Sequence, residues 1–247
     1  MRSIDRSAHT NRWRRIPCLE KLALTVGMMA VALTTSSWPV EVLILLTMVA
    51  LAIFGAGVRW TDILHSAAVP VGFVLVGTLA QAVSVRLNGV MPVFSLTAEM
   101  LSKAGFVGVR SLACIAALLT LALTTPLPDI LRLLRRLGLG RDVGDIALMM
   151  FRFIWLLLDC VEHGRQSQVN RLGYVGYRRS LGSIGLLMAA LLPRVLSRAH
   201  RVETGLTARG YEGELNFIPL ERPVSALRLG GIVAILIVVA TFGRIGT

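Results

Sequence analysis

The chain has 247 residues, of which 55% are hydrophobic and only 16% are charged, with a mean hydropathy of +0.70. Soluble domains carry about 25% charged residues, so this composition excludes an ordinary soluble enzyme. The charges still sum to +12, which fits a membrane protein with its basic residues collected on one side better than a nucleic-acid-binding protein.

The first 21 residues are basic and precede the first apolar segment. Their basic residues are Arg2, Arg6, Arg12, Arg14, Arg15 and Lys21. A basic start before an apolar run also opens a signal peptide, but here the cleavage signature is poor and further apolar segments follow. We therefore predict that residues 1–21 form an uncleaved cytoplasmic N-terminus.

Five apolar segments approach the length of about 20 residues that a membrane-spanning helix needs. They are residues 22–36, 39–57, 67–85, 105–125 and 226–243. The sequence thus predicts a four-helix transmembrane region at 22–125 and a final transmembrane helix at 223–247. We expect Glu99 and Arg110 to be solvated near the outer boundary.

The remaining region, residues 126–222, holds 14 of the arginines. An N-terminus outside the cell would export this block, which the positive-inside rule disfavours. We therefore predict a cytoplasmic or interfacial module here. It contains a short amphipathic helix at 129–137 and two long helices at about 142–170 and 179–207. Both long helices begin apolar and end polar, which suggests a pair descending together from the membrane into the cytoplasm.

Both long helices end in an Arg that is followed closely by Gly and Tyr. The two tips are Asn170-Arg171-Leu172-Gly173-Tyr174 and Ala208-Arg209-Gly210-Tyr211. Gly commonly terminates helices and Arg complements the dipole at a helix C-terminus, so each tip alone could be only a cap. Their repetition on two adjacent helices favours a functional role.

These residues resemble the transmembrane T component of an energy-coupling factor (ECF) transporter, in the cobalt-type CbiQ family. The similarity runs from Thr124-Thr125-Pro126 to Gly213, and residues 17–22 are similar to the family's opening, where a Lys precedes the first span. Ala208-Arg209-Gly210 is the most specific match. At the first tip the chain departs from the family, because Asn170 and Leu172 stand where small residues are expected.

The resemblance implies a coupling subunit that is not an enzyme, needs no cofactor and binds neither substrate nor ATP. The sequence also has no GxxxxGK[ST] phosphate loop. The implied partners are two ATP-binding cassette ATPase subunits, a substrate-binding membrane (S) subunit and membrane lipid, without nucleic acid. The implied ATPase-coupling residues are Arg171, Gly173, Ala208, Arg209 and Gly210.

The resemblance further implies a multi-pass protein of the bacterial inner membrane that serves cobalt uptake. The residues themselves name no cargo, so nickel or a vitamin stays open. A self-contained secondary transporter or channel is a further alternative, although it would be expected to show two related halves. The sequence has no such halves.

Two other groups of residues are candidates for a functional site. Cys160 and His163 are spaced i, i+3, but two ligands do not make a metal site, and none is predicted. Arg152 lies within an apolar run, with Asp145 and Asp159 seven residues to either side. This spacing favours an intramembrane ion pair or a contact with the partner membrane subunit.

Overall fold

The structure is a computed structural model that describes residues 3–82, 84–88, 91–95, 98–138, 140–210 and 225–245. Tyr211, Gly213 and Arg222 of the predicted module lie outside this part. The chain divides into two compact units, one of Met1–Ile130 with Glu221–Thr247 and the other of Leu131–Leu220. The second unit is thus inserted between the two sequence segments of the first.

The first unit is helical, apart from one short hairpin. Its helices are α1 (Ser3–Thr10), α2 (Cys18–Thr34), α3 (Trp38–Ala50), α4 (Trp60–Ala82), α5 (Ala98–Thr124) and α9 (Ala226–Ile245). A 3₁₀ turn at Arg12–Arg15 precedes α2, and a π-helical turn at Leu51–Gly55 follows α3. Strands β1 (Ser84–Asn88) and β2 (Met91–Ser95) pair antiparallel between α4 and α5. The predicted all-α membrane fold is confirmed, while α1 and the hairpin were not predicted.

Four segments of the described chain are long and apolar enough to cross a membrane. They are Trp38–Gly55, Trp60–Gln81, Met100–Thr124 and Tyr177–Thr207. The first three correspond to predicted spans, whereas the fourth lies in the predicted cytoplasmic module. The other two predicted spans are shorter, since α2 has 17 residues and the apolar stretch of α9 covers Ala226–Phe242.

The core of the first unit lies between α2, α3, α5 and α9. Its buried side chains include Leu24, Met28, Ile44, Met48, Ala113, Ala117 and Val239. A Cβ atom on Gly27 would lie 2.5 Å from Leu236 Cδ1, so this glycine lets α2 and α9 approach closely. Helix α4, by contrast, exposes Val69 and Phe73 by more than 80%, as expected of a helix that faces lipid.

The prediction that Arg110 is solvated is wrong. Its Nε lies 3.0 Å from Oε1 of Glu41, whose side chain is fully buried. The guanidinium also donates a hydrogen bond to the Thr35 carbonyl and lies 4.6 Å from the centre of the Phe106 ring. An apolar environment makes an unpaired charge costly, so the two helices bury Arg110 as an ion pair. The side chain of Glu99 lies outside the described part.

The second unit consists mainly of two long helices. It contains the last residues of α6 (Leu127–Arg136), together with α7 (Arg141–Asn170) and α8 (Tyr177–Thr207). The short predicted helix and both long ones are therefore present. Pro193 lies inside α8.

Candidate functional site

The predicted coupling arginines lie at the C-terminal ends of the two long helices. Arg171 is the C-cap residue of α7, and Arg209 follows Ala208, the C-cap residue of α8. Both arginines are exposed to solvent. Within the described residues neither makes an ion pair, so both guanidinium groups can bind an external carboxylate.

The first tip, residues 170–174, closes α7 with a Schellman motif. The Gly173 N–H donates to the Gln168 carbonyl at 2.9 Å, and the Leu172 N–H donates to the Val169 carbonyl at 3.0 Å. These bonds define the motif, which places its C′ residue in the left-handed region, usually a glycine. Here that residue is Leu172, with φ of 56°.

Gly173 lets the first tip lie directly against the start of α8. A Cβ atom at this position would lie 2.7 Å from Ser183 Oγ and 3.0 Å from the Gln168 carbonyl oxygen. Ser183 Oγ donates a 2.7 Å hydrogen bond to the Gly173 carbonyl, and the Tyr174 hydroxyl donates to Gln168 Oε1 at 3.0 Å. Arg171 is therefore presented from a turn that is fixed to the neighbouring helix.

The second tip, residues 208–210, has a similar backbone ending without such contacts. The Arg209 N–H donates to the Leu206 carbonyl and the Gly210 N–H to the Thr207 carbonyl, at 3.0 and 3.1 Å. Gly210 has φ of 75°, and among the described residues no atom lies within 4 Å of the place its Cβ would occupy. Each coupling arginine therefore immediately precedes a residue in the left-handed region.

The two helices are antiparallel, so the interpretation that they descend side by side is wrong. Only residues 171–176 connect them, and so short a connection reverses the chain direction instead of returning it to the other end. Gly173 contacts Ser183 near the start of α8, whereas Arg209 follows its end. From Ser183 to Thr207, α8 rises by roughly 36 Å. The tips thus lie at opposite ends of the pair.

The helices α7 and α8 lie against each other at Gly164. A Cβ on this residue would clash with Leu187 Cδ1, and Leu187 is only 8% exposed. The two helices also border an open cleft of about 520 Å³, lined by Leu156, Cys160, Pro193, Arg194, Ser197, Arg198 and Arg201. Gly164 is therefore a point of close helix packing within the pair.

The last carboxylate of α7 is paired within the helix. Glu162 accepts a 3.1 Å hydrogen bond from Arg165, and this contact holds the pKa of the Glu162 carboxyl below its ordinary value. Glu162 is thus engaged about two helical turns before the end of α7 that carries Arg171. It leaves Arg171 without a partner from its own helix.

The structure does not bring Asp145, Arg152 and Asp159 together. Asp145 instead forms an ion pair with Arg135 of α6, at 2.8 Å. Arg152 and Asp159 are exposed, and in the described part of the chain Arg152 makes no ion pair. Asp145 lies just beyond the turn that joins α6 to α7, so Arg135 reaches it and stabilises that turn.

The structure gives Cys160 and His163 separate surroundings. Cys160 lines the cleft between α7 and α8, whereas Nδ1 of His163 lies 2.7 Å from the Asp159 carbonyl oxygen. No group of three or more His, Cys, Asp or Glu residues placed to hold a metal ion occurs in the described ranges.

The sequence analysis also missed a group of buried polar residues in the first unit. Glu20 and Lys21 are 1% and 4% exposed, and Asn11 is 9% exposed. Lys21 Nζ donates to the Thr124 carbonyl at 2.8 Å. Lys21 and Thr124 both belong to segments that resemble the same family. A single sequence cannot show that these two residues touch.

Comparison with known proteins identifies relatives over most of the chain. Residues 10–218 match the family model described as CbiQ, cobalt transport protein. The cobalt transport protein CbiQ of Rhodobacter capsulatus is 35% identical, over 92% of both chains. That of Salmonella typhimurium is 27% identical, over 87% of this chain and 100% of the relative. A putative fused cobalt transport protein CbiMQ of Methanocorpusculum labreanum is 25% identical over 49% of this chain and 20% of its own length.

Proposed function

Because the chain belongs to the CbiQ cobalt transport protein family, we propose that it is the T component of an ECF importer for cobalt ions. As a family member with four long apolar helices it is a multi-pass membrane protein of cobalt transport. In the proposed role it performs no chemistry. It transmits the movement of two ATPase subunits to a substrate-binding membrane subunit.

The observation that carries the proposal is the pair of exposed arginines at the helix tips. Arg171 and Arg209 occupy the same place relative to a left-handed residue. A guanidinium is planar, always charged and able to form two parallel hydrogen bonds with a carboxylate. Each tip therefore suits a groove that contains one acidic side chain, and the proposed grooves are on the ATPase subunits.

The opposite placement of the tips supports one ATPase subunit for each arginine. Two tips separated by roughly the length of α8 cannot share a single small groove. In the proposed mechanism, closure of the ATPase pair changes the separation of the tips. The helices then rotate at the Gly164–Leu187 contact, where the missing side chain of glycine permits close approach.

An apolar surface on α8 is the proposed contact for the substrate-binding subunit. Leu181, Met188 and Leu192 are each more than 60% exposed, and large exposed apolar surfaces mark sites of association. The fused CbiMQ relative supports a close association with a second transport component. Membrane lipid covers the remaining apolar surface.

The proposed orientation places the N-terminus and residues 126–222 on the cytoplasmic side of the inner membrane. Helix α8 is long enough to cross the membrane, but it carries five arginines, two in its first turn and three in its C-terminal half. Charges at membrane depth are costly, so an interfacial position agrees better with this sequence. The basic excess of the region follows the positive-inside rule.

Copurification from membranes tests the proposal. The wild-type chain is expected to bring an ATPase and a small membrane protein with it. Arg171→Glu and Arg209→Glu are expected to weaken recovery of the ATPase while retaining the membrane protein, because each places a like charge against the acidic groove. Arg194→Glu, which changes an exposed arginine in the middle of α8 and away from both tips, is the matched control. Recovery of no ATPase by the wild type, or equal recovery by all variants, would contradict the proposal.

A further inference from the structure

The second unit is joined to the first by two chain connections, one after Ile130 and one before Glu221. The outgoing root is the end of α5, residues 123–124. The returning root is the start of α9, residues 225–228. Both roots lie in the first unit, and both contact the first turn of α2. The contacts come from two adjacent residues, Glu20 and Lys21.

Lys21 holds the outgoing root. Its Nζ donates a 2.8 Å hydrogen bond to the Thr124 carbonyl, which Asn11 Nδ2 also approaches at 3.2 Å. Thr124 needs such donors because the residue four positions ahead is Pro128, which has no N–H to offer. An ammonium group at a helix C-terminus also complements the helix dipole. The end of α5 is thus fixed to α2 by a buried charged contact.

Glu20 holds the returning root. Its Oε1 accepts a 2.9 Å hydrogen bond from the Ser225 N–H, immediately before α9 begins. Its Oε2 lies 3.0 Å from Arg228 Nε, as an ion pair without hydrogen-bond geometry. The first N–H groups of a helix have no partner within it, and a carboxylate there also complements the helix dipole. The start of α9 is therefore tied to the same turn of α2.

We propose that Glu20 and Lys21 form an anchor that passes movement of the second unit to the transmembrane helices. This inference rests on the proposed coupling function. Adjacent Cα atoms lie about 3.8 Å apart, so the two roots cannot separate without breaking one of the buried contacts. Displacement of the second unit then moves α2 and its core partners instead of being absorbed in the two connections. Glu20 and Lys21 are positioning residues and touch neither ATP nor cobalt.

The Glu41–Arg110 pair provides a matched control. It is also a buried ion pair of the first unit, and it joins α3 to α5. It involves neither root. Glu41→Gln therefore removes a buried charge and its ion pair from the first unit while leaving the anchor intact.

The test measures the complete complex in proteoliposomes, with ATP hydrolysis and cobalt uptake recorded on the same samples. Lys21→Met and Glu20→Ala are expected to retain the ATPase and its hydrolysis, but to lower cobalt taken up per ATP by about tenfold. Lys21→Arg keeps a charged donor and is expected to restore most of the uptake. Glu41→Gln is expected to keep the wild-type ratio of uptake to hydrolysis.

Two results would overturn the anchor. One is a wild-type ratio of uptake to hydrolysis in Lys21→Met and Glu20→Ala, and the other is an equal fall in Glu41→Gln. If Lys21→Met does not accumulate in membranes, Asn11→Ala replaces it. This variant removes the second donor to Thr124, together with the hydrogen bonds of Asn11 to the Ser7, Ala8 and Leu123 carbonyls. That variant is expected to lower the ratio by a smaller factor, and an unchanged ratio again overturns the anchor. Failure of the wild-type chain to recover an ATPase would instead contradict the coupling function itself.

Discussion

The two tips of the second unit reach a similar backbone ending from different sequences. At the second tip Gly210 adopts the left-handed conformation, and no neighbour in the described part of the chain lies within 4 Å of where its Cβ would be. At the first tip Leu172 adopts it, although a side chain makes this conformation costly by about 1–2 kcal/mol. The position of each arginine is therefore set by how the helix ends and not by the identity of the next residue.

The difference between the tips lies in what supports them. Gly173, Ser183 and Tyr174 fix the first tip with hydrogen bonds to α8 and within the turn. The second tip has only the backbone hydrogen bonds of its helix end in the described residues. The first tip, which contains the strained Leu172, is thus the one held by side-chain hydrogen bonds. These bonds offset the conformational cost of the left-handed Leu172.

The largest expected effect comes from removing the arginines themselves. Arg171→Ala and Arg209→Ala should each lower ATP-driven cobalt uptake by about tenfold or more, because a carboxylate on the partner loses its charged hydrogen bonds. Arg→Lys at either tip should retain part of the uptake, since an ammonium keeps the charge but not the paired geometry. Arg194→Ala, in the middle of α8, is the control for loss of an exposed charge. Wild-type uptake by one of the alanine variants would show that the tips are not equivalent.

Replacing Gly173 or Gly210 with alanine distinguishes the first tip, which contacts α8, from the second. Gly173→Ala should destabilise the first tip by about 1–3 kcal/mol, because the new methyl group meets Ser183 and the Gln168 backbone. Gly210→Ala should cost about 1 kcal/mol, from its backbone conformation alone. Thermal unfolding of the purified protein measures both. A larger loss for Gly210→Ala would mean that contacts with α8 do not support the first tip.

The smallest expected effect is a gain in stability. Leu172→Gly removes the left-handed strain, and the greater freedom of glycine in the unfolded chain offsets part of that gain. We expect the purified protein to be more stable by about 0.5–1 kcal/mol. A lower melting temperature would show that the Leu172 side chain stabilises the turn by more than its strain costs.

Local sequence patterns predicted the helices and the exposed arginines, because both depend on residues close together in the chain. Apolar runs located α3, α4 and α5, and the Arg-Gly pattern located both helix ends. Hydropathy indicates the polarity of a segment and not its direction, so the antiparallel arrangement of α7 and α8 was missed.

Pairings of charges were harder to predict. Glu41 and Arg110 are far apart in the sequence, and four arginines lie within ten residues of Asp145, namely Arg135, Arg136, Arg141 and Arg152. A single sequence also gives no means of matching Glu20 with Ser225 or Lys21 with Thr124. Only the folded chain shows that these polar groups satisfy each other's hydrogen bonds.

The most direct test of the coupling role is photo-crosslinking from the tips within the complete complex. A photoreactive amino acid is incorporated in place of Arg171, of Arg209 or of both, with Arg194 in the middle of α8 as the control position. We predict that each tip alone forms one adduct with an ATPase subunit, that both together join the chain to two ATPase subunits, and that position 194 forms neither. Absence of an ATPase adduct from both tips, or attachment of only one subunit by the double variant, would contradict the account.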